Sequence, residues 1–404
     1  MMRRLLFVSP RFLFPADEGG KIRTGQILRG LKGGEFHITL VSPAAPAGSD
    51  FHDELTSVCD EHVTWPEVSR GRLFGLTRLR HIWNRLPIPV VTDRDLVAER
   101  VIKSELAKQP DVVVVDFVHA VVLTPDLMGV PSVLFTHNVE TEIFAREAEL
   151  ASGILQRAIW RNQMRKMEAL ERSVTSRFDA LVAVSDRDAD VFRERFGAGN
   201  VASIPTGVDT DSHAYQAPAG NDTAVFAGAL DWHANAEGIG WMLDEVWPLV
   251  RARRPSAKLC IVGRNPPSTL VALGSSMGVT FTGLVDAVDP YVHEASVYVI
   301  PLRVGGGTRI KAYEAMALGV PVVSTSVGIE GLSLDPDQHY LCADDAVSFA
   351  EAVCTLFEER DLRERISRAA RDHVVENCSF RRAARAFEEI CLSVVQSGSP
   401  PLGS

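Results

Sequence analysis

Short apolar runs rich in β-branched residues alternate along the chain with segments whose apolar positions recur every three or four residues. In the first half, "RLLFVSP", "FHITLVSP", "PDVVVVDF", "PSVLFTHN" and "DALVAVSD" each read as a strand. The four valines 112–115 show no polar alternation, which predicts a strand buried on both faces. A helix is expected over 24–31, between the first two strands. A second series follows "NVASIPTGVD" with "TAVFAGAL", "AKLCIVG", "VTFTGLV", "ASVYVIPL" and "VPVVSTSV". Helices are expected over 236–253 and 308–318, and again from about Val347 onward, the last over 381–395. Strands alternating with helices predict parallel sheets. Pro205, Gly207, Pro218 and Gly220 punctuate the junction of the two series. The expectation is an α/β chain of two Rossmann-like, doubly wound domains facing a central cleft. Residues 1–204 form the first domain and 205–380 the second. Residues 381–404 form a final helix that could cross back to the first domain, then a disordered tail. Ligands of such sheets bind beyond the carboxyl ends of the strands, so functional residues are sought there.

Composition narrows the function. The 404 residues carry 46% hydrophobic and 23% charged side chains, which excludes disorder as the main state. The net charge of −10 argues against a general nucleic-acid binder. The six cysteines are scattered, with no C-x-x-C pair, which fits a reducing cytoplasm better than a disulfide framework or a zinc site. The apolar run at Leu5–Val8 is too short for a signal peptide and is cut by Pro10 and Arg11. No run approaches ~18 apolar residues, so no transmembrane helix is expected.

Candidate chemistry concentrates in "PLRVGGGTRIKAYEAMALGVPVVSTSVGIEG", residues 301–331. Gly305, Gly306 and Gly307, with Thr308, follow a strand and precede a helix. Such a turn lets a phosphate approach backbone N–H groups at a helix N-terminus. Arg303, Arg309 and Lys311 supply cations for a diphosphate. Glu314, three residues after Lys311, can accept hydrogen bonds from two adjacent hydroxyls such as those of a ribose.

This segment resembles the nucleotide-sugar signature of retaining glycosyltransferases with the GT-B fold, glycosyltransferase family 4. "FAGALDWHANAEGIGWM", "TGLVDAVDPYVHEASVYVIPLR", "FTHNVE" and "LVAVSD" extend the resemblance over nearly the whole chain. It implies that Glu314, the second glutamate of an E-x7-E motif, binds the donor ribose. The first glutamate of that motif is replaced by Gly306. The basic pair expected early in the second domain is also missing, with Asp231 and His233 in that region. Diphosphate neutralisation then falls to Arg309 and Lys311, helped by Arg303 or Arg264. Gly283 to Val285 would line the base. Gly19 and Gly20, with Lys21 and Arg23 beside them, would form a loop near the donor phosphates. His137 would contact the donor sugar or the reacting centre. Asp116, His119, Asn138 and Glu140 would serve the acceptor, and Ser185 would border the cleft.

The implied activity is retaining hexosyl transfer from a nucleotide-diphosphate sugar to a glycan or lipid-linked acceptor, in surface polysaccharide or glycoconjugate biosynthesis. The alternative is a degenerate nucleotide-sugar-binding or scaffold subunit; a GT-B epimerase or phosphorylase has no support in the motifs. No paired carboxylates of a glycosidase are evident. Metal independence is expected, because "DTD" at 209–211 lies in the linker, where turn chemistry explains it. Residues 70–86, "RGRLFGLTRLRHIWNRL", carry five arginines and no acid among apolar residues. They are candidates for peripheral contact with the anionic inner membrane leaflet, with a surface loop and helix as the alternative. The charged residues of 156–172, including Arg161, Arg165, Glu168 and Glu171, read as a solvated helix face.

Overall fold

The computed structural model describes residues 2–16, 18–66, 79–151, 153–204, 207–210, 213–304 and 310–398. Gly305, Gly306, Gly307, Thr308, Arg309, Asp211 and the arginines at 70, 72 and 78 lie outside them. The chain divides into two compact units: residues 1–207 together with the final helix Phe380–Gly398, and Val208–Ser379.

The first unit holds a seven-stranded parallel sheet in the order β3-β2-β1-β4-β5-β6-β7. Its strands are β1 (Arg3–Val8), β2 (Phe36–Pro43), β3 (Glu61–Trp65), β4 (Val112–Asp116), β5 (Ser132–Phe135), β6 (Ala180–Ala183) and β7 (Val201–Ser203). The pleat sends alternate side chains to opposite faces, and both faces are covered. Leu6, Val8, Val113 and Val115 join one hydrophobic core. Leu5, Phe7, Val112 and Val114 join the other. That is why these runs are apolar without alternation. The second core is completed by the last helix through Ala383, Ala384, Phe387, Cys391 and Val394. Their three- and four-residue spacing is one helical face. Gly30 allows the close approach, since a Cβ there would lie 2.3 Å from the Ala384 methyl.

The second unit holds a six-stranded parallel sheet, order β10-β9-β8-β11-β12-β13. The strands are β8 (Thr223–Ala227), β9 (Lys258–Val262), β10 (Val279–Gly283), β11 (Val297–Ile300), β12 (Val322–Ser324) and β13 (Tyr340–Cys342). The helix expected over 236–253 runs from His233 to Arg253 and includes a wider π turn at Met242–Val246. Helices Ala346–Glu358 and Arg360–Asn377 cover its sheet.

Several local expectations need correction. The first helix begins at Gly19 rather than Thr24, so its glycines are helical. The edge strands β3, β7 and β13 are not among the expected strands: β3 is only partly buried and weakly apolar, and β7 and β13 have three residues each. The helix Ile154–Val174 is not wholly solvated on its charged face, because Glu171 is fully buried.

Candidate functional site

In each sheet the chain reverses direction of growth at one place, between β1 and β4 and between β8 and β11. Carboxyl ends of strands at such a switch leave an open crevice for a ligand. Most of the chemically distinctive side chains stand at these two places.

In the first unit the hub is Asp116, the last residue of β4, fully buried. Its Oδ2 accepts from Thr24 Oγ1 at 3.0 Å and from Ser9 Oγ at 3.3 Å. Its Oδ1 lies 2.7 Å from His137 Nε2. The other ring nitrogen, Nδ1, is 3.1 Å from Arg23 Nη1. A guanidinium only donates, so Nδ1 accepts, and Nε2 carries the proton and donates to Asp116. His137 is therefore neutral, with one defined tautomer. Burial holds its pKa below the ordinary value, against the pull of Asp116. Burial likewise pulls Arg23 down to about 10, opposed by Asp188 and Asp116, which still leaves it charged at neutral pH. The imidazole stacks on Phe117 at 4.0 Å. Phe117 follows Asp116 with φ +69°, a strained setting for an aromatic residue. A Cβ on Gly20 would meet the Phe117 ring at 2.6 Å, which explains a glycine at that site.

A second cluster adjoins it. His119 lies 3.7 Å from Asp93 and 3.5 Å from Glu140. Desolvation opposes its charge, but the two carboxylates outweigh it and hold the imidazole up at about 9. Glu140 is desolvated too, yet His119 and a hydrogen bond from Asn138 keep it ionised. Glu171, from the helix Ile154–Val174, accepts from the backbone N–H of Glu140 (2.7 Å) and of Thr141 (3.1 Å) and bonds the Thr141 hydroxyl. It satisfies donors at the start of the helix Glu140–Leu150. Burial nevertheless raises its carboxyl to about 7.

In the second unit Lys311 Nζ donates to Asn235 Oδ1 at 3.0 Å and sits 4.5 Å over the Phe226 ring. A Cβ on Gly228 would come 3.0 Å from that ammonium. Gly228 and Gly263 directly follow β8 and β9 and are in close contact, since a Cβ on Gly263 would lie 2.0 Å from Gly228 O. Gly263 N donates to Gly283 O at 3.2 Å, drawing the end of β10 into the same group. Glu314 is one turn after Lys311. Burial raises its carboxyl, opposed by His213 and helped by Asp289, with Lys311 a weaker opposing charge. His213 Nδ1 is itself 3.1 Å from Asp289.

The structure thus gathers the sequence candidates into three groups: Asp116 with His137 and Arg23; His119 with Asn138 and Glu140; and Lys311 and Glu314 with the strand-end glycines. It also commits some of them elsewhere. Both His137 nitrogens are engaged within the protein, and the residue is 3% exposed. Arg23 is an internal partner rather than a surface cation. Ser185 caps the helix Asp186–Glu194 by accepting from Asp188 N at 3.1 Å. Arg303 pairs with Glu237 and lies over Trp241 at 5.2 Å. Arg264 is 3.5 Å from Asp231. Asn235, Thr24, Phe117 and Gly263 were not legible as site residues. Their types are ordinary, and only the fold sets them beside Lys311 or Asp116. Among the described residues no group of three or more His, Cys, Asp or Glu is placed to hold a metal ion.

Comparison with known proteins decides the family. Residues 19–212 match the model described as Glycosyltransferase Family 4, and residues 221–359 match Glycosyl transferases group 1. The chain belongs to the group 1, family 4 glycosyltransferases. This glycosyltransferase is 21% identical, over 87% of its length and 90% of the relative's, to an uncharacterised 44.6 kDa protein in the cps region of Klebsiella pneumoniae. Its fold matches sucrose-phosphate synthase from Thermosynechococcus elongatus with a TM-score of 0.69 at 17% identity, covering 98% of this chain and 100% of that one. It matches Anabaena HepE, solved in complex with UDP-glucose, with a TM-score of 0.66 at 14% identity, covering 96% and 99%. Two Rossmann-like units, each with a parallel sheet, make the glycosyltransferase a GT-B protein.

Proposed function

We propose that this glycosyltransferase moves a hexosyl group, with retention of configuration, from a nucleotide-diphosphate sugar to a glycan or lipid-linked acceptor in surface polysaccharide assembly. The observation that carries the donor reading is Lys311. Its ammonium stands at the β8/β11 switch, packed so closely on Gly228 that a Cβ there would come 3.0 Å from it, so only a glycine lets the cation sit at the strand end. Glu314, one turn on, is assigned to the ribose hydroxyls. Arg309 and the backbone of Gly305, Gly306, Gly307 and Thr308 are assigned to the diphosphate, with Arg303 and Arg264 as peripheral cations. The base is assigned to Gly283 and Val285. Charge on the leaving diphosphate would be stabilised by these groups rather than by a metal, and its oxygen would take the acceptor proton. UDP sugars are the first donors to try, because the HepE neighbour was solved with UDP-glucose. The acceptor side is assigned to His119, Asn138 and Glu140, near Gly19 and Gly20, with a capsular glycan as acceptor class, in keeping with the cps-region relative. Asp116 and His137 are assigned to holding the helix Gly19–Leu31 in place through Thr24 and Arg23.

The test combines Lys311→Ala and Glu314→Ala with a donor panel. Each substitution is expected to lower turnover about 10²–10³-fold, the loss typical of one preorganised charge-stabilising group. Thermal midpoints without ligand should stay near that of the parent protein. Near-normal turnover in both would overturn the donor assignment. The product anomer read by NMR tests retention, and an unchanged rate in EDTA tests metal independence. Gly306, where the resemblance expects a glutamate, favours one second reading, a nucleotide-sugar-binding subunit without catalysis. Stabilisation by nucleotide sugars with no cleavage across the panel would favour it.

A further inference from the structure

The helices Glu140–Leu150 and Ile154–Val174 form an antiparallel hairpin, tied at its base by Glu171 and the start of the first helix. At 1.5 Å per residue the first arm carries the tip roughly 16 Å from that base. Two apolar side chains stand at the tip in solvent, Ile154 at 89% and Leu155 at 75% exposure. Below them Arg157, Arg161 and Arg165 follow at four-residue intervals, one stripe of a helix. With Met164, Ala145, Ala148 and Glu149 they line a groove of ≈ 600 Å³. Arg157 donates to Ala151 O at 3.0 Å, and among the described residues none of the three arginines has a carboxylate partner within ion-pair distance. Their neighbours differ: Arg146 pairs with Glu142 and Arg172 with Glu168. Lys166 of the same helix donates to Ile82 O, which fixes the turn Leu79–Trp83 beside the hairpin. That turn presents Trp83 at 90% exposure.

We propose that this face docks on an anionic lipid bilayer. The arginines would take head-group phosphate oxygens, while Ile154, Leu155 and Trp83 enter the interfacial layer. Charge decides the occupant. A protein of net charge −10 is repelled by an anionic surface unless unpaired cations gather on the face that meets it, and here three do. Aliphatic side chains at the tip suit a lipid surface better than a soluble anion, which gives them nothing to enter. The inference deepens the acceptor reading by giving a lipid-linked acceptor a surface to be met on. Trp83 belongs to the stretch 70–86 where membrane contact is expected, of which residues 70–78 lie outside the described residues.

The test is co-sedimentation of the full chain with phosphatidylglycerol-containing or pure phosphatidylcholine vesicles, without donor or acceptor. The parent protein should partition onto the anionic vesicles only. The triple variant Arg157→Gln, Arg161→Gln, Arg165→Gln and the double variant Ile154→Ser, Leu155→Ser should each weaken partition at least about tenfold. Both should keep the parent thermal midpoint and donor turnover. Parent-like partition of either variant overturns the proposal, as does equal binding to both vesicle types. So does a double variant that turns a dimer into a monomer in sedimentation velocity while vesicle binding holds; the tip would then meet a second copy. Because the readout needs no turnover, failure of the donor assignment leaves this result interpretable, and the reverse is also true.

Discussion

Asp116→Ala removes the acceptor at the centre of the first unit's switch point. Three buried donors lose their partner: Thr24 Oγ1, Ser9 Oγ and His137 Nε2. A hydrogen bond to an ionised group contributes about 1.5–3 kcal/mol, and the 3.3 Å Ser9 contact belongs at the bottom of that range. The three share one carboxylate, so their losses do not add. Arg23 also loses a counter-charge inside the protein. The expected cost is about 4 kcal/mol, within the range for breaking a buried ionic network by removing one partner. For a unit of this size that lowers the midpoint by roughly 10 °C. The assay is thermal unfolding of the full chain, with hydrogen exchange at the β4 and β5 amides to assign the transition to the first unit. His137→Phe and the double variant complete a cycle, with an expected coupling of about 2 kcal/mol. A midpoint loss under about 2 °C would refute the network, and so would strict additivity of the two substitutions.

Three further outcomes follow from the same geometry. His119 is held at about 9 in the folded state, above its unfolded value of about 6.5, so its contribution is complete below pH 6.5. First-unit stability should fall as pH rises from 6.5 through 9, and His119→Gln should flatten that slope in pH-dependent urea unfolding; an equal slope in both proteins contradicts the His119–Asp93–Glu140 assignment. His137, whose folded pKa lies below the unfolded one, acts in the opposite sense, so stability should drop on acidification below pH 6.5 and His137→Phe should lessen that drop. Gly263→Ala puts a methyl 2.0 Å from a backbone carbonyl that cannot swing aside. It should cost about 1–3 kcal/mol and abolish the thermal shift given by the best nucleotide ligand; a retained shift would place that ligand away from the β8/β9 ends.

Much of the scaffold was readable along the chain. The valines of β4 announce a strand with apolar neighbours on both sides, and the segment 301–331 combines glycines, cations and a carboxylate at spacings few other chemistries require. Those are local properties, fixed by backbone sterics and by the period of hydrophobic positions. Partnership is different, because it depends on which strand ends meet. Arg23 and Lys21 looked alike on a glycine-rich loop, yet packing buries Arg23 against His137, 114 residues away. Glu171 and Glu168 looked alike on a charged helix, yet one is buried at a helix start while the other stays near the surface with Arg195. Asn235 carries no signal until the fold sets it 3.0 Å from Lys311.

The sequence by itself determined the fold class and the family, and singled out the segment proposed for the donor, because periodicity and glycine placement act over a few residues. Only the tertiary structure decided which charges are spent inside the protein and which remain available. It bound both nitrogens of His137 and enclosed Asp116, while among the described residues three arginines of one helix keep no carboxylate partner. Charge pairing is a matter of distance in space, and the sequence holds that distance only implicitly.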